Sequence, residues 1–105
     1  MTKEFQEKVK KFMEENNINN PVEYRMLDLF DEIGEMSKEI CKMSGYGTKK
    51  PEFRKEIIPE IGDVFYSLIT VANYYKVDLS EALDLVLKKY KKRIDKGGHA
   101  GSEND

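Results

Sequence analysis

The sequence of 105 residues contains only one cysteine, Cys41, and only one histidine, His99. A single cysteine cannot form an internal disulfide, so nothing in the sequence requires an oxidising compartment. Neither residue has a partner at the spacing of zinc sites, and a nucleophile activated by histidine is equally unsupported. The GxxxxGK[ST] loop that cradles phosphates is also missing. Zinc hydrolases, Ser-His or Cys-His hydrolases and P-loop enzymes are therefore not indicated.

The chain also lacks long apolar runs and an excess of basic residues. No apolar run approaches the roughly 20 residues that a transmembrane helix needs. The charged start MTKEFQEKVKKF has no apolar core of the kind that signal peptides carry. We therefore expect a cytoplasmic protein with no membrane partner. A net charge of −2 argues against nucleic acid as a partner, since general nucleic-acid binders need positive charge to displace counterions.

With 36% charged residues and only 3 prolines, the composition is typical of one small helix-rich domain. Apolar residues recur at helical spacing without any strand pattern, which predicts an all-α helical bundle of four to five helices. Asn20 and Asp78 are predicted helix caps. Pro59 is predicted to split the third helical segment, because proline lacks a backbone N–H. The predicted helices are residues 3–16, 21–44, a short one ending near 58, a main one at 59–75 and a last one at 79–96.

One domain is expected over residues 1–96, followed by a flexible glycine-rich tail at 97–105. The helix from Pro59 to Tyr75 is apolar on most sides, and so small a chain has few helices to cover it. A second copy of the chain is therefore expected to complete the bundle. Cys41 is predicted to be a small buried side chain.

Four acids on two helices are spaced in pairs. Glu32 and Glu35 lie three residues apart and project from one side of their helix, a pattern that any solvated helix face also shows. Glu60 and Asp63 are the only charged residues between positions 60 and 75. Two partly buried carboxylates repel each other and are costly to desolvate, so they need a cation. A bound metal ion and a lysine or arginine partner both satisfy that need.

The last helix carries the basic run KKYKKR at residues 88–93. A helical projection places Lys89 and Arg93, four residues apart, toward the apolar side and the other lysines toward solvent. These two cations either neutralise Glu60 and Asp63 or meet phosphate oxygens across a metal ion. Carboxylates with cations opposite suit Mg²⁺, which takes oxygen ligands and shares a few carboxylates with phosphates and water.

These residues together resemble the MazG family of all-α nucleoside triphosphate pyrophosphohydrolases. The family pattern is ExxE, a gap and ExxD, and here EIGE at 32–35 is followed after 24 residues by EIGD at 60–63. The flanking segments are similar as well: LFDEIGE matches L-x-E-E-x-G-E except at Asp31, and EIGDVF matches E-x-G-D-V-L/F. KYKKRI at 89–94 resembles K-F-x-R-R-F, whereas Leu87 and Glu56 replace an Asn and a Lys of the family.

The resemblance covers roughly residues 21–96 and implies that Glu32, Glu35, Glu60 and Asp63 bind Mg²⁺, with Mn²⁺ as a substitute. It also implies that a metal-activated water cleaves a nucleoside triphosphate between the α and β phosphates, giving a nucleoside monophosphate and pyrophosphate. Lys89 and Arg93 match the phosphate-contacting cations of the family, and the family's assemblies are homodimers or tetramers.

Three functions remain open from the sequence. The first is a (d)NTP pyrophosphohydrolase, and the second is phosphoribosyl-ATP pyrophosphatase, which has a similar helical acid pattern. The third is a non-catalytic helical interaction module whose acids pair with Lys89 and Arg93. Tyr46, in the loop between the acid-bearing helices, either stacks on a nucleobase or packs locally.

Overall fold

The computed structural model describes residues 2–97 as four α-helices in sequence. These are α1 (Thr2–Glu15), α2 (Val22–Met43), α3 (Ile57–Tyr74) and α4 (Leu79–Gly97). The predicted all-α fold is confirmed, and no strand occurs in this range. Met1 and residues 98–105, which include His99 and most of the expected tail, lie outside the described residues. Gly97, which was assigned to the tail by the sequence, ends α4 instead.

The predicted caps have different outcomes. The Asp78 cap is confirmed, because its Oδ1 accepts the backbone N–H groups of Ser80 at 2.8 Å and Glu81 at 3.3 Å. The Asn20 cap is wrong: Pro21 precedes α2 with φ −58° and ψ 152°, and no side chain caps this helix start. The Asn20 carbonyl instead accepts a hydrogen bond from Arg25 Nε at 2.9 Å.

Pro59 does not split the third segment. α3 runs without a break from Ile57, and Pro59 lies in its first turn, where a backbone N–H has no acceptor within the helix. The missing N–H therefore costs the helix nothing. Residues 51–56 form no separate helix, so the described bundle has four helices and the short fifth one is absent from it.

α2 and α3 form an antiparallel hairpin, which is the main packing unit of the chain. Arg25 near the start of α2 donates to the carbonyl of Thr70 near the end of α3 at 2.7 Å. At the other end, Glu39 on α2 accepts a hydrogen bond from Arg54, three residues before α3 begins. α1 packs on α3, and α4 packs on α1. The buried apolar side chains are Met13, Leu29, Ile57, Ile69 and Ala72.

Gln6 on α1 ties the turn between α3 and α4 to the rest of the bundle. Its Nε2 donates to Asn73 Oδ1 at 3.0 Å and to the carbonyl of Val77 at 2.8 Å. Its Oε1 accepts the backbone N–H of Leu79, the first residue of α4, at 2.9 Å. A buried polar side chain near the start of the chain thus fixes the start of its last helix.

The single chain leaves much apolar surface uncovered. α4 has no buried residue in the described range, and Cys41, predicted to be buried, is exposed. Exposed apolar side chains follow one face of α2 and one of α3: Met26, Phe30, Ile33, Ile40, Ile58, Ile61, Phe65 and Leu68. Between residues 2 and 97, none of the helices has the length and apolarity to span a bilayer.

Candidate functional site

Glu32 lies on the side of α2 that packs against α3. Leu29 and Met36, three residues before it and four after it, are buried and half-buried, and Glu32 itself is half-buried between them. This spacing places all three on one helix face. The carboxylate of Glu32 is therefore held at the seam of the helix hairpin.

Glu60 and Asp63 come from the first two turns of α3. Because α3 begins at Ile57, ahead of Pro59, both acids stand on a continuous helix that packs against α2. Glu60 is half-buried and Asp63 is exposed. The expectation of two partly buried acids thus holds for Glu60 and fails for Asp63.

The structure brings three of the four predicted acids together. One carboxylate oxygen from each of Glu32, Glu60 and Asp63 lies within 4.8 Å of the other two. Glu35 is exposed and lies outside this group. Three residues along a helix turn the side chain by about 60°, so Glu35 lies beside Glu32, farther from the seam and more exposed to solvent.

The electrostatics of Glu32 reflect this crowding. Partial burial raises the pKa of Glu32, and so do the charge of Asp63 and a hydrogen bond with Asp63. The charges of Glu60 and Glu35 add to the same rise in pKa. Negative charge is therefore concentrated at the seam.

No described salt bridge joins the predicted cations to these acids. Lys89 Nζ and the Arg93 guanidinium each lie 5.6 Å from the ring centroid of Tyr90, on α4. In the part of the chain that the structure describes, the carboxylates of Glu39 and Asp95 form salt bridges with basic side chains. The carboxylates of Glu32, Glu60 and Asp63 form none there. The structural ion pairing of Glu60 and Asp63 with the α4 cations is therefore not observed.

The donor set fits a hard divalent cation. Three carboxylate oxygens from two helices, with their mutual repulsion unrelieved by a described lysine or arginine, match the oxygen ligands that Mg²⁺ and Mn²⁺ take. Zinc prefers nitrogen and sulfur ligands, and the one cysteine of the chain is not part of the group.

Two features near the site escaped the sequence analysis in whole or in part. Glu39 is buried because it lies seven residues after Glu32, on the same inward face of α2. A helical projection of α2 would have shown this position. Tyr46 adopts a left-handed backbone with φ 60°, and its side chain is exposed, so it does not pack locally. The neighbouring Gly45 also has a positive φ, of 55°, and ends α2 as predicted.

Comparison with known proteins places this arrangement in a family. The family model of the MazG nucleotide pyrophosphohydrolase domain matches residues 21–97, which include α2, α3 and α4. The uncharacterized protein YpjD of Bacillus subtilis (strain 168) is 38% identical over 69 residues, which are 65% of this chain and 62% of YpjD. The matched part thus spans less than two-thirds of the length of that relative. No solved structure matches the chain significantly. Since the family model covers most of the chain and all three converging carboxylates, the chain belongs to the MazG nucleotide pyrophosphohydrolase domain family.

Proposed function

We propose that this chain is a Mg²⁺-dependent pyrophosphohydrolase that cleaves a (d)NTP between its α and β phosphates, releasing a nucleoside monophosphate and pyrophosphate. The observation that carries the proposal is the convergence of Glu32, Glu60 and Asp63 in a chain of the MazG family. Carboxylates that crowd within 4.8 Å, with no salt bridge to a described lysine or arginine, are suited to sharing a cation with the phosphates of a substrate.

In this proposal Glu32, Glu60 and Asp63 hold the metal ion, and Glu35 joins them from the neighbouring side of α2. Mg²⁺, for which Mn²⁺ substitutes, neutralises the phosphate chain and lowers the pKa of bound water when it is present. The half-buried positions of Glu32 and Glu60 limit the access of bulk water to their carboxylates. Anchoring on two packed helices keeps the donor atoms at a fixed separation.

Lys89 and Arg93 are proposed to contact the phosphate oxygens. Both line a groove along α4 together with further basic residues, so this side of the helix attracts anions. Arginine offers a planar fork of donors, whereas lysine acts as a point charge. Tyr46 is proposed to stack on the nucleobase, since its ring is exposed on a loop that joins the two acid-bearing helices.

A homodimer is part of the proposal. Eight large apolar side chains on α2 and α3 are between 39% and 63% exposed in the single chain. Exposed apolar faces of this kind are typical of surfaces that a partner covers. The exposed apolar faces of α2 and α3 are the surfaces that a second copy would cover. We assign the reaction to the cytoplasm, where nucleoside triphosphates are available.

The test is a panel of ribo- and deoxyribonucleoside triphosphates, with phosphoribosyl-ATP included, incubated with and without Mg²⁺. Chromatography of the products is expected to show pyrophosphate and a nucleoside monophosphate, only with Mg²⁺. Orthophosphate with a nucleoside diphosphate would contradict the proposed bond. Turnover of phosphoribosyl-ATP alone would establish the second candidate activity. Indifference to Mg²⁺ together with no turnover of any nucleotide would leave the helical interaction module.

A further inference from the structure

A partly buried ion pair, between Glu39 and Arg54, lies two turns along α2 from the carboxylate cluster. Glu39 is 8% exposed, which makes it the most buried charged residue among those described. Its Oε1 accepts a hydrogen bond from Arg54 Nε at 2.6 Å, while Lys42 approaches its Oε2 only to 3.8 Å. A carboxylate this buried is costly without a charged, hydrogen-bonded partner, so Arg54 is required beside it.

Arg54 controls how α3 begins. Its backbone carbonyl accepts the N–H of Ile57, the first residue of α3, at 3.1 Å. Glu60 follows in the same turn of the helix, and Asp63 follows in the next turn. The side chain of Arg54 is therefore bonded to α2, and its backbone is bonded to the helix that carries two of the three clustered acids.

Apolar and backbone contacts also hold the start of α3 against α2, but the flanking side chains add little to them. The flanking apolar side chains of Phe53 and Ile58 are 72% and 63% exposed, so they contribute little packing. Ile57 is buried, and Glu52 N–H donates to the carbonyl of Met43 at 2.9 Å. The pair of Glu39 and Arg54 is thus the main polar link between the two helices at this end of the hairpin.

Glu39 and Glu32 lie on the same face of α2, seven residues apart, which corresponds to about 10 Å along the axis. One helix face therefore carries both a member of the cluster and the anchor for the start of α3. The distance from Glu32 to Glu60 and Asp63 then depends on where Arg54 is held. Mg²⁺ demands near-ideal octahedral geometry, so a small shift of α3 along α2 weakens a shared site.

We propose that Arg54, held by buried Glu39, is a positioning residue. It fixes the position of α3 along α2, so that Glu60 and Asp63 lie close enough to Glu32 to bind one metal ion together. It touches neither the metal nor the substrate and acts through the start of α3. This inference rests on the proposed function, because it concerns the same metal site. According to this inference, metal binding also requires Arg54 and Glu39, which lie outside the two acid pairs.

The experiment compares Arg54→Ala, Arg54→Lys and Glu39→Gln with wild type and with two controls. Lys42→Ala removes the long contact to Glu39, and Lys91→Ala removes an exposed ion pair to Asp95 at 3.0 Å. Mn²⁺ affinity is measured by electron paramagnetic resonance, and backbone amide hydrogen exchange is measured in the metal-free protein. The wild-type titration tests the proposed function by itself, and the variants test the positioning role.

Arg54→Ala is expected to weaken Mn²⁺ binding by about 10- to 100-fold, the range typical of residues that support metal ligands. Amides of residues 57–63 are expected to exchange faster, while those of α1 stay unchanged. Arg54→Lys should recover part of the affinity, and both controls should stay within about twofold of wild type. If Arg54→Ala does not fold, Glu39→Gln, which keeps the shape and removes the charge, gives the same comparison.

Wild-type Mn²⁺ affinity and unchanged exchange at residues 57–63 in Arg54→Ala or Glu39→Gln, with only a lower melting temperature, would overturn the positioning role. A wild-type protein that binds no Mn²⁺ would instead remove the proposed metal site itself.

Discussion

Glu32 on α2 and Asp63 on α3 place carboxylate oxygens within 4.8 Å of each other, and partial burial together with the charge of Asp63 raises the pKa of Glu32. Two ionised carboxylates this close repel each other. The pair is therefore most stable either with a proton or with a cation between the helices. Both cases lead to experiments.

Glu60→Gln is expected to abolish Mg²⁺-dependent turnover and the rise in melting temperature caused by Mg²⁺. Glutamine keeps the shape of the side chain but removes a metal ligand and one of the repelling charges, so the metal-free protein should melt no lower than wild type. At a Mg²⁺ concentration 100-fold above Kd, binding to the folded state stabilises it by about 2.7 kcal/mol. Calorimetry with Mg²⁺ or with EDTA measures the melting temperatures of the metal-bound and metal-free proteins, and an assay of pyrophosphate release measures turnover.

The control for this variant is Asp28→Asn, an exposed acid on α2 one turn before Glu32 and outside the carboxylate cluster. It should keep both the turnover and the metal-induced shift. Normal turnover by Glu60→Gln would show that the metal assignment is wrong.

The stability of the metal-free protein should depend on pH through Glu32. Since the pKa of Glu32 is raised in the folded state, the folded protein binds more protons than the unfolded one between the two pKa values. The contribution of Glu32 to stability is therefore full below the unfolded pKa and is lost as pH rises through the folded pKa. Urea unfolding in EDTA at several pH values measures this contribution as the difference between wild type and Glu32→Gln.

As pH rises toward neutrality in EDTA, the unfolding free energy of wild type should fall below that of Glu32→Gln. With saturating Mg²⁺ at neutral pH, wild type should be the more stable of the two, because the metal binds only the carboxylate form. A difference in unfolding free energy that stays constant across the acidic range would rule out a raised pKa for Glu32.

Arg93→Ala is expected to lower kcat/KM by about 10- to 150-fold, since a charge-assisted contact to phosphate contributes roughly 1.5–3 kcal/mol. Mn²⁺ affinity should persist, because Arg93 is not part of the carboxylate cluster. Arg93→Lys should recover only part of the loss, as an ammonium group cannot reproduce the guanidinium fork. The control is Lys91→Ala, an exposed lysine of α4 that is not among the residues lining the groove that Lys89 and Arg93 line. Equal losses in both alanine variants would remove the specific role of Arg93.

The homodimer should depend on the exposed apolar faces of α2 and α3. Phe30→Glu or Ile61→Glu places a charge on side chains that are 62% and 52% exposed in the single chain, so the monomer should fold without strain. Sedimentation at micromolar concentration is expected to give a dimer for wild type and a shift toward monomer for both variants. Tyr24→Glu, at an exposed side chain near the start of α2, is the control for added charge. A wild-type monomer of 12.3 kDa would contradict the dimer.

The helices themselves could be predicted from the sequence because helical periodicity is a local property. The Asp78 cap and the end of α2 at Gly45 were predictable for the same reason. The predicted split at Pro59 was wrong because the effect of a proline depends on where the helix starts. That start is set by Arg54 and Ile57, which depend on contacts with another helix.

The composition of the site was predictable only in part. The spacing of the acid pairs identified Glu32, Glu60 and Asp63, but it could not separate Glu32 from Glu35. Which of the two faces α3 depends on the rotation of α2 in the hairpin. Burial was predicted least well: Cys41 is exposed in the single chain, because a helix face can be judged apolar without knowing what covers it.

The hydrogen bonds of Gln6 have a consequence for how the chain assembles. They join residues separated by 67 to 73 positions, whereas α2 and α3 are neighbours in sequence. Contacts between residues so far apart in the sequence form only after most of the chain is ordered. Closing so long a loop lowers the entropy of the chain before the hydrogen bonds can stabilise it. The hairpin of α2 and α3 should therefore appear early and α4 should settle last. Because α1 lies outside residues 21–97, the bundle described here includes a helix that the family match does not cover.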